Sequence, residues 1–247
     1  LVYVFSDQWR WCDHGYEGNR DVATPRIDAL ARESVNFRTA VSCMPVCSPH
    51  RASLMTGLYP LTHGLFINDL SLNDRAVSFA QALGKAGYDT GYIGKWHIDG
   101  RGRTNFTPPE RRKGFKFWRT LECTHAYNKS DYFGDDPAQK KTWPGYDAYA
   151  QTDEAVGYLR ARSGDRKPFA LFLEEFLIHV PEGLSEHLFR LVLGEERYRV
   201  VRHLVEKERH PLQPVPPGDE IIEEGAVQIG DMAAHPVVVR SGKFAER

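Results

Sequence analysis

Long apolar runs are missing from this 247-residue sequence. The two longest, residues 1–5 and 169–173, fall far short of the ~18 residues that a membrane-spanning helix needs, so no transmembrane segment is expected. Cysteines are few, four in all (Cys12, Cys43, Cys47 and Cys123), which excludes a disulfide scaffold. An excess of either charge is missing too. The 32 Lys and Arg stand against 33 Asp and Glu, a net −1, which leaves no electrostatic footprint for nucleic acid. Gly and Pro, 21 and 15, are too scarce for a disordered chain. What is present is an ordinary globular composition, 41% hydrophobic and 12% aromatic, in a length of roughly one and a half domains. The sequence opens on Leu1, already inside an apolar run. No targeting segment is legible in it, and localisation, periplasmic or secreted against cytoplasmic, stays open.

Periodicity sketches the elements. Residues 1–5 read as a buried strand ending in Ser6-Asp7-Gln8. Thr24-Pro25 reads as a capped helix start, with Ile27, Leu30, Ala31 and Ser34 following at helical spacing. Residues 35–41 predict a second strand, and residues 48–55 a short helix closed by Gly57. Further helices are expected over 77–86 and 147–162, and strands over 88–93 and 168–176. Residues 101–145, rich in Pro, Gly, Lys and Arg, read as a long surface loop. Its Trp118, Tyr127, Tyr132, Phe133 and Trp143 either stack on sugar rings or pack.

This alternation predicts an α/β fold, a mixed and largely parallel sheet with helices on both faces. Chemistry in such folds collects where strands end. From Leu184 the character changes: Leu184, Leu188, Leu191, Val192, Val201 and Val205 trace the apolar face of a long charged helix. A Pro-rich linker at 210–218 and a short tail follow. The expected division is residues 1–181 as a catalytic region and 182–247 as a divergent helical and Pro-rich tail.

The sharpest chemical signal is Cys47-Ser48-Pro49-His50-Arg51. It places Cys47 at the N-terminal lip of a helix, where free N–H groups favour an anion. Arg51 stands one turn on at i+4, within reach of the same point.

The segment from Pro45 to Gly57 resembles the signature of the type I (formylglycine-dependent) sulfatase family, within the alkaline-phosphatase-like superfamily. Three more motifs agree in order. Val4-Phe5-Ser6-Asp7-Gln8 looks like the family's first metal-binding strand end, followed by Ala23–Ala31, which is similar to its first helix. Gly94-Lys95-Trp96-His97 matches its Gly-Lys-Trp-His motif. The strand beginning at Lys167, followed by His179-x-Pro181, resembles its His-x-Pro element.

The resemblance implies that Cys47 is oxidised to formylglycine by a formylglycine-generating (sulfatase-maturing) enzyme. One hydroxyl of the hydrated aldehyde then attacks sulfur and expels the alcohol, and the other drives elimination of sulfate. It implies a divalent cation, Ca²⁺ with Mg²⁺ or another ion as alternatives, on Asp7, Gln8 and position 47. Arg51 and Lys95 would stabilise the nucleophile and the sulfate. His97 would handle the proton of the retained hydroxyl, and His179 would contact sulfate or protonate the leaving oxygen. Asn68 is a further polar candidate for substrate binding. His14, His63, His125, His187, His203, His210 and His235 read as surface or structural.

The pattern departs from the family in two places. His50 stands where Ser is usual, and the second metal-binding strand end and the later Lys have no counterpart, Ala226–Asp231 being the nearest imitation. The expected C-terminal part is therefore missing or divergent. The implied function is hydrolysis of a sulfuric ester, with a sulfated small molecule or saccharide as substrate. A phosphonate or phosphate ester hydrolase of the same superfamily and a catalytically inactive fragment are the alternatives.

Overall fold

Four apolar segments, too short for helices, lie side by side in the middle of one sheet. They are β1 (Val2–Ser6), β2 (Asp89–Lys95), β3 (Phe117–Leu121) and β6 (Phe169–Glu175). The computed structural model describes residues 1–7, 9–175 and 237–239. The central four strands run parallel in the order β3-β2-β6-β1. Short antiparallel strands close both edges. These are β4 (Asp131–Phe133) and β5 (Lys140–Thr142) beside β3, and β7 (Val237–Val239) beside β1. The sheet is thus mixed and largely parallel, as expected.

Alternation along β6 sends Ala170 and Phe172 to one face and Leu171 and Leu173 to the other. Strands buried on both faces read as continuous apolar runs, which is why residues 169–173 carry no polar punctuation. The first face is aromatic. Tyr92, Trp96, Phe115, Trp118 and Phe172 pack there against Ala52 and Met55 of α2 (Cys47–Thr56) and Ala80 of α4 (Phe79–Lys85). The second face is mostly aliphatic and is covered by Ala150, Ala155, Tyr158 and Leu159 of α5 (Asp147–Ala161). Helices α1 (Pro25–Arg32) and α3 (Pro60–His63) complete the set among the described residues.

Three local expectations are corrected. Residues 35–41 form no strand: Val35, Phe37 and Val41 are exposed, and no described strand lies beside them to pair with. Alternation signals a strand only where a partner edge exists. Thr24 does not cap α1; its hydroxyl donates to Asp28 Oδ1 at 2.7 Å and accepts from the Gly15 N–H at 2.7 Å.

Residues 101–145 are not a surface loop either, since they contain β3, β4 and β5. Their charges are turned inward. Buried Arg112 donates to Thr107 O and Gly134 O at 3.0 Å each, and its guanidinium covers the Trp118 ring. Lys113 caps the carbonyls of Asn73, Asp74 and Ala76. Trp118, Phe133 and Trp143 are core residues, and Tyr132 stacks on Trp143 with ring centroids 3.8 Å apart. Burial removes Trp118, Phe133 and Trp143 from a sugar-stacking role; Tyr127 and Tyr132 remain part-exposed.

The long helix expected beyond Leu184, the Pro-rich linker, His179, His187, His203, His210, Asp231 and His235 lie outside the described residues, as does Gln8. No described helix is long and apolar enough to cross a membrane.

Candidate active site

Because the four central strands are parallel, their C-terminal ends share one edge of the sheet. Asp7 follows β1, Lys95 ends β2, Glu174 lies at the end of β6 and Glu122 follows β3. Helix α2 starts at Cys47 on the same side. Pro49 stands in its first turn, where a missing N–H breaks no helical hydrogen bond. The Ser48 N–H donates to Asn68 Oδ1 at 2.9 Å, and Ser48 Oγ donates to His97 O at 2.6 Å. One serine therefore ties the helix start to two loops and fixes the position of Cys47. His50 is accommodated by pairing its Nδ1 with Ser42 Oγ at 3.0 Å.

Beneath Cys47 lies a buried charged floor. Lys95 Nζ donates to Asp7 Oδ2 at 2.7 Å and lies 3.4 Å from Cys47 Sγ. Arg51 does not reach up to Cys47; its two terminal nitrogens fork onto the Glu174 carboxylate. Arg51 Nη1 also donates to Lys95 O at 2.9 Å, and Nη2 lies 3.9 Å from Asp7 Oδ2. The Tyr92 hydroxyl lies 2.8 Å from Lys95 O and 3.3 Å from Glu174 Oε2, donating to one at a time. The guanidinium rests 5.5 Å from the Phe5 ring centroid. Burial alone would raise the Asp7 carboxyl, but the charges of Arg51 and Lys95 hold it below its ordinary value. Gly94 makes the floor possible: at φ +108° its missing Cβ would lie 1.9 Å from Glu174 O.

Above the floor stands a second network. The His97 ring is buried, and its Nε2 lies 3.0 Å from Asp69 Oδ1. Arg103 forks onto the same carboxylate, Nε to Oδ1 at 2.9 Å and Nη2 to Oδ2 at 2.7 Å. Hydrogen bonds from Arg103 and His97 hold the Asp69 carboxyl well below its ordinary value. Burial pushes the His97 imidazole down to about 4, against the pull of Asp69. A carboxylate can only accept, so the neutral ring carries its proton on Nε2. Its Nδ1 keeps a lone pair that is buried and has no hydrogen-bond partner among the described residues.

Glu122 is a third buried acid, pushed up to about 7 by burial and by the Asp99 carboxylate beside it. Its Oε2 accepts the N–H groups of Asp99 at 3.0 Å and Gly100 at 3.3 Å.

The structure thus gathers Cys47, Lys95 and Asp7 directly, with Arg51 below and His97 above. Asn68 is present at the site, but its Oδ1 is engaged with the Ser48 N–H of α2. Glu174, Asp69, Arg103 and Glu122 are additions to the sequence reading. His63 is structural, bonded to Ser53 Oγ and the Leu65 N–H, and buried His14 packs between Trp9 and Tyr16. All four cysteines are free. The described residues do not by themselves fit a calcium ion, which takes 6–8 oxygens. Asp7 is engaged by Lys95, and among the described residues no group of three His, Cys, Asp or Glu could hold a metal.

A largely parallel α/β sheet with a cysteine at a helix start beside a strand-end lysine is an arrangement of the alkaline-phosphatase-like class. The chain belongs to the sulfatase family, whose family model, described as Sulfatase, matches residues 1–174. It is 45% identical over 196 residues to an ulvan-active sulfatase of Formosa agariphila, covering 79% of this chain and 38% of that protein. It is 31% identical over 210 residues to an endo-4-O-sulfatase of Bacteroides thetaiotaomicron, covering 70% and 41%. The solved structure of BT4656 in complex with its substrate D-glucosamine-2-N,6-O-disulfate superposes with a TM-score of 0.62 at 26% identity, covering 72% of this chain and 34% of that one. The chain spans about two fifths of the length of these two curated relatives.

Proposed function

We propose that Cys47 is the precursor of a formylglycine, made by a formylglycine-generating enzyme, and that the site around it cleaves a sulfate ester of a carbohydrate. The observation that carries this reading is the 3.4 Å approach of Lys95 Nζ to Cys47 Sγ at the start of α2. Sγ marks where the oxygens of the hydrated aldehyde stand, and that group supplies an oxygen nucleophile for attack on sulfur. Lys95, oriented by Asp7, holds negative charge as it moves from the nucleophile to the sulfate oxygens. The N-terminus of α2 adds its dipole in the same sense. Arg51 works from beneath, fixing the Lys95 carbonyl and facing the Asp7 carboxylate. His97 takes the proton of the retained hydroxyl on Nδ1, the nitrogen that Asp69 leaves open. Asn68 holds the helix start through Oδ1, and its Nδ2 amide is the group that would meet the substrate. His179 is assigned to the sulfate or the leaving oxygen by family resemblance alone. Relatives named for activity on ulvan and solved with a sulfated glucosamine support a sulfated carbohydrate as the substrate class.

The test compares matched aryl sulfate, phosphate and phosphonate esters, with Cys47→Ala as the control. The sulfate ester is expected to turn over fastest and the variant to release nothing. Faster turnover of the phosphorus esters, or a rate that Cys47→Ala leaves unchanged, would overturn the reading.

A further inference from the structure

At the rim beyond His97, the Arg103 guanidinium is held where an exposed side chain ordinarily wanders. Arg103 and Asp69 are about half exposed, 48% and 47%, yet they meet in a two-point fork at 2.9 and 2.7 Å. Exposed pairs gain little from such ordering, because immobilising long side chains costs entropy. Four further observations set this one apart.

Asp69 is not a loose surface acid, since its Oδ1 also takes His97 Nε2 at 3.0 Å. Asp69 at φ 65° and His97 at φ 53° are two of the four non-glycine residues with left-handed backbone among the described residues, and they are bonded to each other. Strain of this kind persists where the surroundings over-determine it, and it clusters at ligand sites. Through Asp69 and His97, whose carbonyl accepts from Ser48 Oγ beside Cys47, Arg103 is tied to the start of α2. The fork occupies Nε and Nη2, so the Nη1 edge, with two N–H donors, has no hydrogen-bond partner among the described residues.

We propose that Arg103, oriented by Asp69, is a specificity-determining residue that receives through Nη1 a second anionic group of the substrate, a sulfate or a carboxylate on the sugar bearing the ester that is cleaved. A guanidinium edge suits either oxyanion, and a pre-oriented one loses little freedom on binding. The proposal rests on the sulfatase reading above and deepens it. Arg101 is the internal comparison: it forks onto buried Asp99, which Arg111 also holds, so its pairing braces the loop.

The test is calorimetric binding to the full chain carrying Cys47→Ala, so that no probe is consumed. Three glycosides of one sugar are compared: monosulfated, the same with a second sulfate, and the same with a carboxylate. At least one doubly anionic probe is expected to bind about tenfold tighter than the monosulfated one. The preferred arm identifies the anion. Arg103→Gln and Asp69→Asn abolish the preference, Arg103→Lys keeps part of it, and Arg101→Gln keeps all of it. Equal affinity for all three probes overturns the proposal, as does a preference that Arg103→Gln retains, or an equal loss for every probe in that variant. Failure of the sulfatase reading shows separately, as no sulfate release from the monosulfated probe by the chain that retains position 47 as Cys in its sequence and is produced together with a formylglycine-generating enzyme.

Discussion

Cys47 lies between two arginine–carboxylate networks that use the same chemistry in opposite surroundings. In the floor, the Arg51 and Glu174 side chains are 3% and 0% exposed; in the rim, Arg103 and Asp69 are about half exposed. The comparison teaches that the pairing itself does not fix the role. A buried pair that loses one member leaves the other charged and without water, so the floor is coupled to folding. A rim pair that loses one member hands the other to solvent, so the rim acts on binding and on the orientation of His97.

Breaking the floor is expected to give the largest effect. Glu174→Gln removes the charge facing Arg51 and should cost about 3–5 kcal/mol in urea denaturation. Asp69→Asn should leave the denaturation midpoint almost unmoved, and similar losses for both would erase the distinction. Gly94→Ala comes next. A left-handed backbone costs a residue with a Cβ about 1–2 kcal/mol, and the approach of that Cβ to Glu174 O adds to it, so the thermal midpoint should fall clearly. Asn68→Ala removes the acceptor of the Ser48 N–H and should cost about 0.5–2 kcal/mol, the range for a lost helix cap.

The smallest effects are in pH dependence, where two buried groups pull in opposite directions. His97 has its ordinary value of 6.5 lowered to about 4. As pH falls through that window the unfolded chain takes a proton the native state refuses, and stability declines. Glu122 has its ordinary 4.5 raised to about 7. As pH rises through that window the unfolded chain has lost a proton the native state keeps, and stability again declines. The two windows overlap between 4.5 and 6.5 and the slopes offset there, so His97→Asn should leave a denaturation midpoint that falls as pH rises, and Glu122→Gln one that falls as pH falls.

Much of this architecture was legible in the residues. The unbroken apolar run of β6 and Gly57 closing α2 are local signals, and they produced their elements. Local signals failed where the deciding partner was distant or missing. Residues 35–41 alternate like a strand but have no described edge to join. Arg112 and Lys113 read as surface charge because nothing in their neighbourhood reveals the carbonyls that receive them.

The site divides in the same way. Cys47, Lys95 and His97 stand in compact motifs. Glu174 ends an apolar strand and meets Arg51 123 positions away; Asp69 and Arg103 are 34 apart. Only the fold brings these pairs together, and a lone acid beside a strand or turn carries no sign of its partner.

The central claim is that position 47 is made into the nucleophile of a sulfatase. Its most direct test is peptide mass spectrometry across Pro45–Arg51 of the chain produced together with a formylglycine-generating enzyme. The account predicts an aldehyde at position 47, with sulfur and two hydrogens replaced by oxygen. An intact Cys47 thiol throughout the population would contradict it.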